Sequence, residues 1–325
     1  MTRLGAPSTK SALLIIGGYS PESHSPTGKR ARYMALAASS FFSRTILLTP
    51  GRTKDQRKKS VGSKVLLYTL GFVNVTPYPI SALFDPIKLL AFFIYGIRLS
   101  MRYKPSFIIA AMPPLETGAS AWLLTSLLRK KLIIDCVDDG ESALRTQLTR
   151  YIPLGLMKPA FKFTNKIYSF ANIILVISAT LVNTLRQRGI NVSMILVPDG
   201  ADISTCFPQD EESRREIRLR YALPLNKIVV TYCGSSGNPY YRLDLILRAA
   251  KLLPNNVKDK FFFVFYLYGG IENYSKLKNR LKIPDGLVEI RGPLPRNNLF
   301  EVMTACDVGL VPFDDKPFLL YARSA

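Results

Sequence analysis

Glycine recurs in the second half of this sequence wherever a strand pattern gives way to a helix pattern. "YCGSSGNPYYRLD" sets Gly234, Ser235, Ser236 and Gly237 between the two, and "LYGGIENY" repeats the arrangement with Gly269 and Gly270. "RGPLPRNNL" places Gly292 and Pro293 at a turn leading into a helix. Backbone N–H groups in such a loop, added to the positive end of the following helix, favour an anion such as a phosphate. Any one of these junctions says little, because glycine is common in βα loops. Their order and spacing say more.

Other chemistries find less support. The four cysteines, Cys136, Cys206, Cys233 and Cys306, are far apart and form no CxxC pair, and the one histidine, His24, has no second ligand beside it. A zinc site and a disulfide framework are both excluded on this pattern, and no metal is expected. Free thiols in a reducing cytoplasm are the plain reading. The formal net charge is +21, and Met1–Lys104 carries 16 Lys or Arg against Glu22, Asp55 and Asp85. The run "GRTKDQRKKSVGSK" is the densest part. Such a surface attracts phosphate on nucleic acid, anionic lipid or a phosphorylated substrate, unless it is simply a solvated basic surface. "KLLAFFIYGIRLSMRY" is interrupted by Lys88, Arg98 and Arg102, and "IYSFANIILVISATLVNTL" divides into helix end, strand and new helix. Neither reads as a membrane span, which needs about 20 apolar residues.

These residues need elements to position them, and strand and helix patterns alternate almost throughout. "ALLIIGGY", "RTILLTP", "SFIIAAM", "KLIIDCV" and "NIILVIS" read as strands of the first half, with helices "KRARYMALAASSFF", "DPIKLLAFFIYGIRLSMRY", "GASAWLLTSLLRK", 155–170 and "ATLVNTLRQRG" between or after them. A variable stretch follows the second strand. "FPQDEESRREIRLRYALP" reads as an exposed connecting segment. A second series then runs through "KIVVTYCG", "YYRLDLILRAAKLL", "FFFVFYLYGG", "YSKLKNRLKI", "LVEIRG", "RNNLFEVMTAC" and "VGLVPF". The expectation is an α/β fold of two doubly wound, Rossmann-like domains, residues 1–205 and 206–325, facing a cleft.

Residues 228–313 resemble the donor domain of retaining GT-B glycosyltransferases of family 4, the glycosyl transferases group 1. The family's strand ending in "YxG", helix of "LDLLLxAA" type, strand ending in "GdG" and closing "GpvpxxxLxxxxxxaDvglxPf" stand here as "YCGSSG", "LDLILRAA", "YGGIEN" and "GPLPRNNLFEVMTACDVGLVPF". In the first half "GGYSPESHSPTGKRAR", "AAMPPLETGASAWLL", "IIDCVDDGES" and "VPDGAD" are similar to the family's glycine loop, "ssPPL", "vrDlwpES" and "vpNGvD".

The resemblance implies retaining transfer of a sugar from a nucleotide diphosphate-sugar to a hydroxyl, without a metal. It implies that Gly18, Gly28, Lys29 and Arg30 line the site from the first half, with Arg32 near them. From the second half it implies Gly234, Ser235, Ser236, Arg242, Gly269, Gly270 and Leu294, although Tyr241 stands where the family has a basic residue and Arg242 follows it. Arg242 reads equally as a surface arginine. Asp138 and Glu141 match the family's acidic pair and would position the acceptor or assist as general base; a turn-capping role is the alternative, above all for Asp139. Asp199 takes a turn position with Gly200. The family's next helix carries a glutamate pair that grips the donor sugar, and this sequence stops at "YARSA", where that helix would begin. A C-terminally truncated domain is therefore expected, and with it a non-catalytic nucleotide-binding protein or one completed by a complementary subunit as alternatives. "MKPAFKFTNKIYSF" spaces Lys158, Lys162 and Lys166 four apart beside Phe161 and Phe163. This is either an interfacial surface for anionic lipid, suited to a lipid-linked acceptor on the inner face of the cell membrane, or an amphipathic helix packing inward. A nucleic-acid-binding protein is the last alternative, resting on charge alone.

Overall fold

The structure is a computed structural model that describes residues 11–21, 26–51, 58–71, 85–141, 153–200, 207–236 and 241–314. His24, Cys206, Gly237, residues 52–57 of the basic run and the tail "YARSA" lie outside the described residues. The chain divides into two compact units, the first running to Asp199 and the second starting at Gly200.

In unit 1 the first series of patterns becomes β1 (Ala12–Ile16), α1 (Pro26–Ala38), β2 (Arg44–Pro50), β3 (Lys58–Gly62), β4 (Val65–Leu70), α2 (Asp85–Tyr103), β5 (Pro105–Met112), α3 (Leu115–Leu128), β6 (Lys131–Cys136), α4 (Leu154–Phe170), β7 (Ile173–Val176), α5 (Ala179–Gln187) and β8 (Met194–Leu196). The sheet order is β3-β4-β2-β1-β5-β6-β7-β8. Every pairing is parallel except that of β3 with β4. All five residues of β1 are buried, as a central parallel strand requires when both faces are covered. Successive side chains of β1 serve opposite faces. Leu13 and Ile15 join Ala31 and Ala35 of α1, whereas Leu14 and Ile16 join Phe92, Leu124 and Ile167 of α2, α3 and α4. The β3–β4 hairpin occupies what the sequence reading left as a variable stretch. Its apolar strand "VLLYTL" has partners on only one side until the short, lysine-rich β3 covers its edge.

Unit 2 contains α6 (Glu211–Arg220), β9 (Ile228–Ser235), α7 (Leu243–Leu252), α8 (Asn255–Lys258), β10 (Phe261–Tyr268), α9 (Ile271–Arg280), β11 (Val288–Arg291), α10 (Arg296–Ala305) and β12 (Val308–Gly309). Its four-stranded sheet is parallel, ordered β11-β10-β9-β12. Phe265 and Leu267 pack toward α7, through Leu243 and Leu247, while Val264 and Tyr266 share a cluster with Val302 of α10. The segment expected to be an exposed connection is helical. Asp210 caps it, accepting from the Ser213 amide at 2.7 Å, and Ile217 and Arg218 are buried. The Arg218 guanidinium donates to Ala305 O at 2.9 Å and to Asp307 at 2.7 Å, so a polar sequence is packed through an arginine. The expected α/β fold class is the observed one.

Candidate functional site

In an open parallel sheet, ligands bind beyond the carboxyl ends of the strands, where the strand order reverses. In unit 1 that point lies between β1 and β5, and in unit 2 between β9 and β12.

At the edge of unit 1 the backbone is closely packed. A Cβ on Gly18 would lie 2.2 Å from Pro114 Cδ, one on Gly28 would lie 2.3 Å from Ser20 O, and one on Gly140 would lie 3.0 Å from Pro113 Cβ. These contacts set the turns after β1, β5 and β6 side by side. They also show that Gly18 and Gly28 are required by packing, whatever they do for a ligand. Lys29 is half-buried in the first turn of α1, and Arg32 is exposed. Arg30 reaches across the strand ends. Its Nε donates to both carboxylate oxygens of Asp135, at 3.1 and 3.0 Å, and Nη2 donates to Asp135 Oδ1 at 2.9 Å. Nη2 also donates to Val197 O at 2.8 Å, and Nη1 donates to Asp199 Oδ1 at 2.9 Å and Pro198 O at 3.3 Å. The Arg30 side chain is 10% exposed and that of Asp135 2%. Burial works against the Arg30 charge, but Asp135 and Asp199 outweigh it and hold the guanidinium protonated. Asp199 therefore does more than shape a turn.

The acidic pair is divided in its surroundings. Asp138 is half-buried and its Oδ1 accepts from the Asp139 amide at 2.8 Å. Burial pushes the Asp138 carboxyl above its usual range, the Asp139 amide opposes that, and the Asp139 charge adds to it. Asp139 is buried and receives Arg188 Nη2 at 2.6 Å, while Arg188 Nη1 stands 3.5 Å from Glu141. Below them the Cys136 thiol lies 3.3 Å from Tyr168 OH, and burial raises it to about 12, so it is no nucleophile at neutral pH. Asp135 and Arg188 escaped the sequence reading. Asp135 carried a signal, being the one acid in the apolar strand "KLIIDC"; Arg188, at the end of α5, carried none.

The edge of unit 2 is more open. Gly269 and Gly270 both hold left-handed backbone, φ +80° and +62°, and Gly270 is the N-cap of α9, with no side chain capping that helix. A shallow pocket of about 320 Å³ lies there, lined by residues 269–273, with Glu272 the acidic group on its wall. Ser236 closes onto the same turn: its amide donates to Tyr268 O at 3.3 Å and its hydroxyl donates to Gly269 O. A Cβ on Gly270 would stand 2.7 Å from that hydroxyl. Tyr232 OH donates to Ser235 O at 2.7 Å, and it leaves only 2.8 Å to a Cβ on Gly234. Tyr268 OH donates to Leu294 O at 3.1 Å, bringing the "GPLP" turn to the same side of the sheet. Arg242, at the N-cap of α7, pairs with Asp244 at 2.9 Å and Asp314 at 3.1 Å and remains 35% exposed. The hydrogen bonds it donates to Asp244 and Asp314 keep it charged. Tyr241 stacks on Phe313, ring centroids 5.4 Å apart. Among the described residues no group of three His, Cys, Asp or Glu is arranged to hold a metal ion.

No family model matches the chain, and no curated protein does. Solved structures match over nearly its full length. Sucrose-phosphate synthase from Thermosynechococcus elongatus superposes with a TM-score of 0.75 at 15% identity, over 95% of this chain and 77% of that one. The fold is GT-B. Anabaena HepE, solved with UDP and glucose, gives a TM-score of 0.61 at 14% identity, covering 93% of this chain and 74% of that one. WaaG, a glycosyltransferase involved in lipopolysaccharide biosynthesis, gives 0.63 at 12% identity, over 93% and 75%. At such identities the likeness concerns the GT-B fold, and each residue's role has to be argued from this chain.

Proposed function

We propose that this chain transfers a sugar from a nucleoside diphosphate-sugar to a hydroxyl acceptor, with retention, in the manner of family 4. The observation that carries this reading is the carboxyl edge of unit 2. There, uncapped helix N-termini at Gly270 and Arg242 share one side of a parallel sheet with the Ser235–Ser236 turn, in a chain of GT-B fold. Departure of the diphosphate from an oxocarbenium-like centre leaves negative charge. Fixed amides and a cation already in place stabilise it without reorganising. In this reading Gly234, Ser235, Ser236, Gly269, Gly270 and Leu294 supply backbone to the donor, Arg242 supplies charge, and no metal is used. Within unit 1, Gly18, Gly28 and Lys29 line that unit's own strand-end edge, and Arg30 orders the lining through Asp135 and Asp199. Asp138 is the candidate base, because its carboxyl is pushed toward working pH by burial. Glu141, steadied by Arg188, positions the acceptor. The acceptor is lipid-linked or part of an envelope glycan, and the protein acts at the cytoplasmic face of the cell membrane. HepE was solved with UDP-glucose as well, which makes a uridine donor the first to try.

Calorimetric titration with uridine, adenosine and guanosine diphosphates and their glucose conjugates tests this. One diphosphate should bind, and Gly270→Val should abolish that binding, since its side chain would meet Ser236. A folded protein that binds none of them overturns the reading.

A further inference from the structure

The outer face of α2 and α3 is apolar where it should be polar, and α4 lies beside it. On α2, Ile87, Leu90, Ile94 and Met101 are each more than half exposed, and their spacing puts them within one stripe of the helix, with Arg98 among them. On α3, Leu123 and Leu127 point outward beside it, Leu127 at 61% exposure. The three helices form one layer. A Cβ on Gly96 of α2 would lie 2.8 Å from Leu124 of α3, and Trp122 of α3 meets Phe163 and Phe170 of α4 with centroids 5.6 and 6.1 Å away. Phe161 and Phe163 of α4 thus turn inward, as an amphipathic helix would have them, while Lys158, Lys162 and Lys166 stay exposed. Lys166 lies 5.8 Å over the Trp122 ring. Asp85 and Glu116 are the only acidic residues in the three helices, and Glu116 is buried.

We propose that this three-helix face docks on an anionic lipid bilayer, the α2 and α3 stripe entering the interface while the lysines and arginines meet headgroup phosphates. Two properties select this occupant over another protein or a nucleic acid. An apolar stripe bordered by cations, with no exposed acid among the side chains described in these helices, matches the interior boundary and the charge of an anionic leaflet together. A nucleic acid would leave the leucines and isoleucines without a partner. Among the described residues no helix is long and apolar enough to cross a membrane, so contact through this face is interfacial. The inference deepens the proposed reading by saying where the acceptor lies, and rests on it for nothing else.

The test is co-sedimentation of the full chain with phosphatidylcholine vesicles, with and without phosphatidylglycerol, read alongside quenching of Trp122, the only tryptophan, by bromine-labelled acyl chains. Binding and quenching should require the anionic lipid. Replacing Lys158 and Lys162 with Ala should weaken binding about 30-fold, taking about 1 kcal/mol for each cation. Ile94→Gln with Leu127→Gln should weaken it about tenfold or more and reduce the quenching. These positions are exposed, so an unchanged thermal midpoint checks that each variant is folded. Failure to bind either vesicle overturns the proposal. So does binding that is indifferent to the apolar substitutions, tighter binding to DNA or RNA than to vesicles, or a dimer that the same substitutions dissociate. Nucleoside diphosphate binding measured without vesicles reports separately on the sugar-transfer reading.

Discussion

At the carboxyl edge of unit 1 the charged groups face one another, whereas at the carboxyl edge of unit 2 they face outward. Arg30 makes hydrogen bonds to two carboxylates and two carbonyls and is nearly buried. Arg242 also has two carboxylate partners, yet a third of it meets solvent. The glycines differ in the same sense. Gly18 and Gly28 are hemmed in at 2.2 and 2.3 Å by a proline ring and a backbone carbonyl, whereas Gly234 and Gly270 come closest to a side-chain hydroxyl, at 2.8 and 2.7 Å, and Gly269 has nothing within 4 Å of where a Cβ would stand. A motif shared by two edges therefore does two different jobs: in unit 1 it locks turns together, and in unit 2 it leaves amides and charge accessible.

The most severe way to break this contrast is to remove one partner of the locked pair. Asp135→Ala leaves the Arg30 guanidinium buried beside Asp199 alone, and should destabilise unit 1 by about 3–5 kcal/mol. Urea unfolding of the two variants checks it, with Arg30→Met/Asp135→Leu expected to recover most of the loss because no unpaired charge remains. A loss below about 1 kcal/mol for Asp135→Ala would mean that the edge of unit 1 is not locked. Next in size is the glycine pair. Gly18→Ala drives a methyl into the Pro114 ring and should cost about 1–3 kcal/mol. Gly269→Ala meets no atom and should cost only the left-handed backbone penalty, about 1 kcal/mol. Equal losses would remove the distinction between a packed and an open turn.

The strands and most helices were legible because parallel sheets bury both faces, and runs such as "ALLII" and "FFFVFYLY" have no other stable place. The β3–β4 hairpin was hidden by its lysines, which belong to an edge strand and read as loop. The helix α6 was hidden because its buried face includes Arg218, whose desolvation is met by Ala305 O and Asp307, far away in sequence. The site was legible at the level of glycine-bearing turns and no further. Nothing in "GKRAR" says that Arg30 points at Asp135 and not at a ligand, since that depends on an acid about a hundred residues away. Polar pairing over such distances has no periodicity to reveal it.

A smaller effect sharpens the open side. Arg242→Ala should leave the unfolding midpoint nearly unchanged, because exposed ion pairs contribute little. It should weaken nucleoside diphosphate binding about tenfold, the loss of one charge-assisted hydrogen bond. Calorimetry and urea unfolding on the same variant separate the two; a stability loss comparable to that of Asp135→Ala would make Arg242 a second lock.

The smallest expected effect concerns Asp138, which sits beside the locked groups without belonging to them. Burial raises its carboxyl in the folded protein, so the ionised form is disfavoured by folding. The stability this group contributes is present below its unfolded value and is lost as pH rises through the folded one. Asp138→Asn should therefore be as stable as the parent at low pH and slightly more stable at pH 7, by less than about 1 kcal/mol. If Asp138 is the base, it must be ionised to act, and the acid limb of the kcat/KM profile should lie above the usual aspartate value of about 3.9 and disappear with the Asn variant. Urea midpoints across pH 4–8 measure the first consequence and the rate profile the second. A variant less stable than the parent at pH 7 would place Asp138 among the groups that the edge of unit 1 depends on, not among those it presents.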